Sequence, residues 1–160
     1  MRYFLIIFLL LNFNYGFSYE MSCKFEEVYK DGSIQTGFIA VKNKKIRYQY
    51  NDDQLFTLFA NEGKIFIVKN NDLSNFQKLN KDTSNLEEIF DLIISNNLKF
   101  EGKIVKDNLV LNFEKSRLTD FYKRISVNAI NMNLSIYFND CNIVQMHDRF
   151  FQHSPYFEIN

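Results

Sequence analysis

The chain of 160 residues balances 19 Lys+Arg against 19 Asp+Glu, and its aromatic content rests on eighteen Phe and nine Tyr, with no Trp. That length suits one domain with one real core. Zero net charge excludes a global field drawing in nucleic acid, and one proline with five glycines excludes a low-complexity linker.

The opening stretch "MRYFLIIFLLLNFNYGFSYE" reads as a secretory signal. Arg2 precedes an unbroken apolar run to Leu11, and Gly16 and Ser18 take the small-residue positions of a cut before Tyr19. The run is shorter than the roughly 20 apolar residues that span a bilayer. An uncleaved anchor is the alternative. The expected division is therefore a signal over 1–18 and a single domain over 19–160, exported into an oxidising compartment. Cys23 and Cys141 then have two readings: a bridge between the ends of the mature chain, or two separate buried thiols.

Period-two alternation predicts strands over 22–30, 34–42, 45–50, 55–60, 64–69 and 75–79. Asp31-Gly32 marks a tight turn after the first; Asn51-Asp52-Asp53 and Asn61-Glu62-Gly63 punctuate later pairs. In "KIRYQY", Ile46, Tyr48 and Tyr50 alternate with Lys45, Arg47 and Gln49. "LFTLF" and "IFIV" are instead apolar on both sides, so these two strands should be covered on both faces.

The period then changes. "SNLEEIFDLIISNN" sets Leu86, Ile89, Phe90, Ile93 and Ile94 on one helical stripe, with Glu87, Glu88 and Asp91 opposite. Ser84 and Glu87 form a capping box, and Asn96-Asn97 suits the helix end. Further strands are expected over 98–106, 109–113, 121–127, 134–138, 143–148 and 156–159. Turns are expected at Asp107-Asn108 and Asn139-Asp140. The fold class is mainly β with one helix (α+β): a curved antiparallel sheet with the helix laid on its concave face.

Catalytic material is sparse. G-x-S-x-G, H-E-x-x-H, P-loop and dinucleotide fingerprints are absent. Both histidines lie in "MHDRFFQHSPYF", where adjacent His147 and Asp148 would point to opposite sides of a strand. The spacing matches no standard metal-ligand pattern. No catalytic residue, metal or cofactor is assigned, and the chain is not read as an enzyme. "VKNKKIRYQY" interleaves cations with tyrosines, a pattern that can serve single-stranded nucleic acid. Export and charge balance count against that. A solvated strand face, a polar contact to the helix, or a docking patch for an acidic partner remain for Lys44 and Arg47.

Several stretches taken together resemble the LolA-type periplasmic lipoprotein carriers. "CKFEEVYKDG" is similar to that family's F-x-Q-x-x-x-x-G arm, with Phe25 and Glu27 in the Phe and Gln places. "GFIAVKNKKIRYQY" is similar to its strand pair ending in apolar-Arg-aromatic, and "LFANEGKIFIVKN" to its S-(D/N)-G hairpin. The capped helix stands where the family places one, and "SPYFEI" is similar to its closing P-x-x-x-F strand. The likeness covers about 25–159. Two features depart from it: Asn43 stands where proline is expected, and a cut at Tyr19 leaves no room for the family's long N-terminal helix.

The resemblance implies an unclosed β-barrel with a helical lid over an apolar cavity. It implies a monomeric periplasmic carrier that holds the acyl chains of lipidated proteins, loaded at the inner membrane and relieved by an outer-membrane receptor. Under this reading Tyr48, Phe56, Leu58, Phe66 and Val68 contact cargo from the sheet, and Ile89, Phe90 and Ile93 from the lid. Lys44 and Arg47 serve lid contact or docking. The alternative is a secreted structural or interaction module whose sheet face or edge binds a partner protein.

Overall fold

The computed structural model describes residues 20–61, 64–79, 89–90, 101–119, 121–130 and 132–152. The expected signal segment, the strand expected over 156–159, and all of the expected helix except Ile89 and Phe90 lie outside them. Ten strands form one antiparallel sheet: β1 (Glu20–Tyr29), β2 (Ile34–Lys42), β3 (Lys45–Tyr50), β4 (Phe56–Asn61), β5 (Lys64–Lys69), β6 (Asp72–Lys78), β7 (Gly102–Lys106), β8 (Leu109–Lys115), β9 (Tyr122–Ala129) and β10 (Met132–Ile143). Their order is β6-β5-β4-β3-β2-β1-β10-β9-β8-β7. The sheet is curved and unclosed, with β6 and β7 at opposite edges.

Laid flat, nine strand spacings of about 4.8 Å would separate those edges by about 43 Å. Instead one continuous cluster joins Tyr48, Leu58 and Ile65 to Leu111, Phe113 and Ile125 on the far half. That face is the inner one. The connection from β6 to β7 must pass from one edge to the other. Ile89 and Phe90, both helical and buried, sit on its path against the inner face.

Tight turns hold the meander in register. Asn43 closes the β2–β3 hairpin with φ +52°, and Asp107 closes β7–β8 with φ +48°. Proline cannot reach a positive φ, so the expected family proline is incompatible with this hairpin. After β1, Gly32 takes φ +84°, and Asp31 accepts from the Ser33 amide at 2.9 Å. Asn70, in the β5–β6 turn, ties that turn to the β3–β4 turn and to β4: it accepts from Thr57 Oγ1 at 2.7 Å and donates to the carbonyls of Tyr50 and Asp52 at 2.9 Å.

Three expectations change. Asn139-Asp140 is not a reversal: β10 runs through it with a bulge, Asp140 taking φ +48°. The extra residue flips the parity of β10, so that Cys141 comes to the same face as Cys23. The expected strand over 143–148 is absent as well. The chain leaves the sheet after Ile143, and residues 148–151 form a 3-10 turn, Asp148–Phe151, capped by His147 Nδ1 accepting from the Arg149 amide at 3.2 Å. Finally, β6 begins at Asp72, earlier than the apolar pattern shows, because Asp72 accepts from Ser74 and starts the strand from its turn.

Candidate functional site

The inner face carries Tyr48, Leu58 and Phe56. Phe90 lies over Tyr48 with ring centroids 6.0 Å apart, and Phe56 meets Tyr50 edge-on at 5.1 Å. Phe66 and Val68 do not join them. Phe66 pairs with Phe59 and Val68 with Thr57, whereas Leu58 pairs with Ile67 and Ala60 with Ile65. With a period of two, Ile65 and Ile67 face inwards while Phe66 and Val68 face out. The ambiguity was built in: a strand apolar on both sides offers no parity signal. Ile93 lies outside the described residues.

At one end of the inner face sits a carboxylate that the apolar pattern concealed. Glu27 is only 4% exposed. Its Oε1 accepts from Tyr48 Oη at 2.7 Å, and its Oε2 from Tyr29 Oη at 2.5 Å and Tyr50 Oη at 2.9 Å. Gly37, paired opposite Phe25 on the strand between them, makes this reach feasible. A Cβ there would strike the Gln49 carbonyl and the Phe25 ring, which is stacked 4.0 Å from Tyr48. Burial first, and Glu27 second, push the Tyr48 and Tyr50 phenols well above their ordinary range; the same two causes raise Tyr29 to about 12. The phenols therefore stay protonated as donors. The cluster holds a charge-accepting group in apolar surroundings and offers no nucleophile. Its sequence trace was the Glu-x-Tyr of β1 and the Tyr-x-Tyr of β3.

Across the sheet on the inner face, Tyr122 is buried beside Phe113 and Phe121, at 5.2 and 5.7 Å. Its hydroxyl has no partner among the described residues, and burial raises its pKa to about 12.

The outer face answers for the second side of β4 and β5. There Arg47 is wedged between three rings, 4.3 Å from Phe150, 5.3 Å from Phe59 and 5.7 Å from Phe38, and donates to the Phe150 carbonyl at 3.1 Å. Burial lowers its pKa. Lys42 and Lys45 both pair with Asp148 at 3.0 Å, and Glu20 accepts from the Met146 amide at 2.7 Å. The segment after β10 is thus fastened over β3 and β4, with Phe151 buried. Arg47 lies on the face opposite Phe90, and among the described residues its partners are Gln49 and the C-terminal turn, not Ile89 or Phe90. Lys44 is exposed in the β2–β3 turn. His147 and Asp148 serve the same fastening, and among the described residues no three His, Cys, Asp or Glu gather to hold a metal.

Cys23 and Cys141 are bridged, closing a separation of 118 residues. Cys23 is 2% exposed. Attack on Cys141 would expel its thiolate into apolar surroundings, where a thiolate is poorly stabilised, so the bridge is a structural staple.

A scan against protein-family models finds no match, and a search of the curated proteins finds none at a significant level.

Proposed function

We propose that this protein is a non-enzymatic periplasmic carrier of lipid-modified proteins, holding their acyl chains between the inner face of the sheet and the segment bearing Ile89 and Phe90. One observation carries the reading: a continuous apolar inner face on which Ile89 and Phe90 pack, with Phe90 seated on Tyr48. Each acyl methylene exposed to water costs about 0.8 kcal/mol, so a soluble carrier needs such a face. A face already covered by the chain's own side chains binds cargo in competition with them, which keeps affinity low enough for release. Tyr122 adds a hydroxyl that an ester carbonyl would satisfy. The staple between Cys23 and Cys141 suits an oxidising compartment. Loading at the inner membrane and delivery to an outer-membrane receptor complete the proposed cycle.

Native mass spectrometry of the protein purified from its host's envelope tests this. One acylated peptide or phospholipid per monomer is the expected result. A lipid-free monomer that also fails to take up a hydrophobic dye would refute it. The second reading, a partner-binding module, is favoured by β6 and β7 standing at the two ends of the strand order among the described residues and by Val105, 63% exposed on β7. That reading expects a stable oligomer or a bound partner with no dye uptake.

A further inference from the structure

The chain is neutral as a whole, yet the topology sorts its turns by charge. Antiparallel pairing puts the start of β1, the turns β2–β3, β4–β5 and β8–β9, and the end of β10 at one end of the sheet. The turns β1–β2, β3–β4, β5–β6, β7–β8 and β9–β10 lie at the other. The second end carries Asp31, Asp52, Asp53, Asp72 and Asp107, with Lys30, Lys69 and Lys106 among them. The first carries Lys44, Lys64, Lys78, Lys115, Arg117 and Lys123.

The acids near the first end are largely engaged. Glu20 binds Lys42, Asp148 binds Lys42 and Lys45, Asp140 binds Lys24 at 2.8 Å, and Glu114 binds Arg124. Glu101 accepts from the Lys115 amide, and Glu62 and Asp120 lie outside the described residues. Arg117 and Lys123 are exposed and make no ion pair among the described residues. Between these two cations the β8–β9 loop lifts Leu118 into solvent, 95% exposed, and Ile143 at the adjoining end of β10 is 80% exposed. Leu118, Arg117 and Lys123 line one cleft of about 930 Å³ that reaches Asp140 and Cys141.

A large aliphatic side chain held in water at the tip of a loop, flanked by unpaired cations, has the composition of an interfacial anchor: apolar atoms for the acyl boundary, charge for the headgroups. We propose that this end of the sheet, through Leu118, Arg117, Lys123 and Ile143, docks reversibly on an anionic phospholipid surface. An acidic protein would use the cations but leave Leu118 and Ile143 without a role. The docking needs no cargo, so it stands or falls separately from the carrier reading.

The test is sedimentation of the full-length mature protein, disulfide intact, with vesicles of phosphatidylcholine alone or mixed with phosphatidylglycerol. Binding to the mixed vesicles only, weakening as salt rises, is expected. Neutralising Arg117 and Lys123 to Gln should each lower binding roughly fivefold. Leu118→Asp should lower it at unchanged surface cations, with the thermal midpoint unmoved because the side chain touches no core. Equal binding to both vesicle types, full binding by Leu118→Asp, or no sedimentation while an acidic polypeptide column retains the protein would each overturn the proposal. Acyl or dye uptake by the same variants, expected to be unchanged, separates its failure from that of the carrier reading.

Discussion

At the scale of single residues, Glu27 is the least expected feature. A carboxylate inside an apolar face is tolerable only because three hydroxyls converge on it. Removing one donor by Tyr48→Phe should cost about 1–3 kcal/mol of stability, read as a lowered denaturant midpoint. The phenols also make stability fall in alkali. They titrate higher when folded than the ordinary 10.0, at about 12 for Tyr29. Between those values the folded chain keeps protons that the unfolded chain releases, so stability is intact below pH 10 and declines as pH rises through the window. Phenolate absorbance should appear together with unfolding; tyrosines ionising without loss of structure would contradict it. Gly37→Ala should cost about 3 kcal/mol, because the neighbour in its way is backbone. Alternation put Tyr48 and Tyr50 on one shared face of β3. It gave no hint of Glu27's partners, since a Glu in alternation with apolar residues looks like a register error until a glycine on the neighbouring strand opens the path.

At the scale of elements, the hairpins were readable because Asp-Gly and Asn-containing turns carry their own backbone chemistry, as in β1–β2 and β7–β8. The bulge at Asp140 was not, since the same residue type serves a bulge and a reversal, and only the partner strand decides. The C-terminal turn was hidden for a similar reason: "DRFF" has no period, and its phenylalanines find their place through Arg47, a hundred residues earlier. Arg47→Ala should release this turn, raising amide exchange at 148–152 and in β3 and β4 before the rest of the sheet. Acid should do the same. Lys42, then Lys45, hold the Asp148 carboxyl below its ordinary 3.8, so its pairing contributes above that value and is lost as pH falls through the folded value. Release of the turn only at the global unfolding transition would count against this fastening. These contacts give β4, through Phe59, something to pack against on its outer side.

At the scale of the whole molecule, the sheet is two meanders joined along a seam where β1 pairs with β10. The crossing between β6 and β7 is what lays Ile89 and Phe90 over the inner face, so any cargo must contend with it. Phe90→Asp should abolish acyl binding in a folded protein, whereas Tyr122→Phe should weaken it without harming stability, since the hydroxyl has no partner among the described residues to lose. Opening the bridge by Cys23→Ser with Cys141→Ser should remove about 5 kcal/mol in the chain-entropy account, measured by denaturant titration. The seam also has a history in time. Cys23 leaves the ribosome 118 residues before its partner. At synthesis rates of about 5–20 residues per second that is on the order of ten seconds. Throughout that interval the first strand waits with an unpaired edge and a free thiol, so the nascent chain, more than the finished one, is the form that needs a guardian against wrong partners.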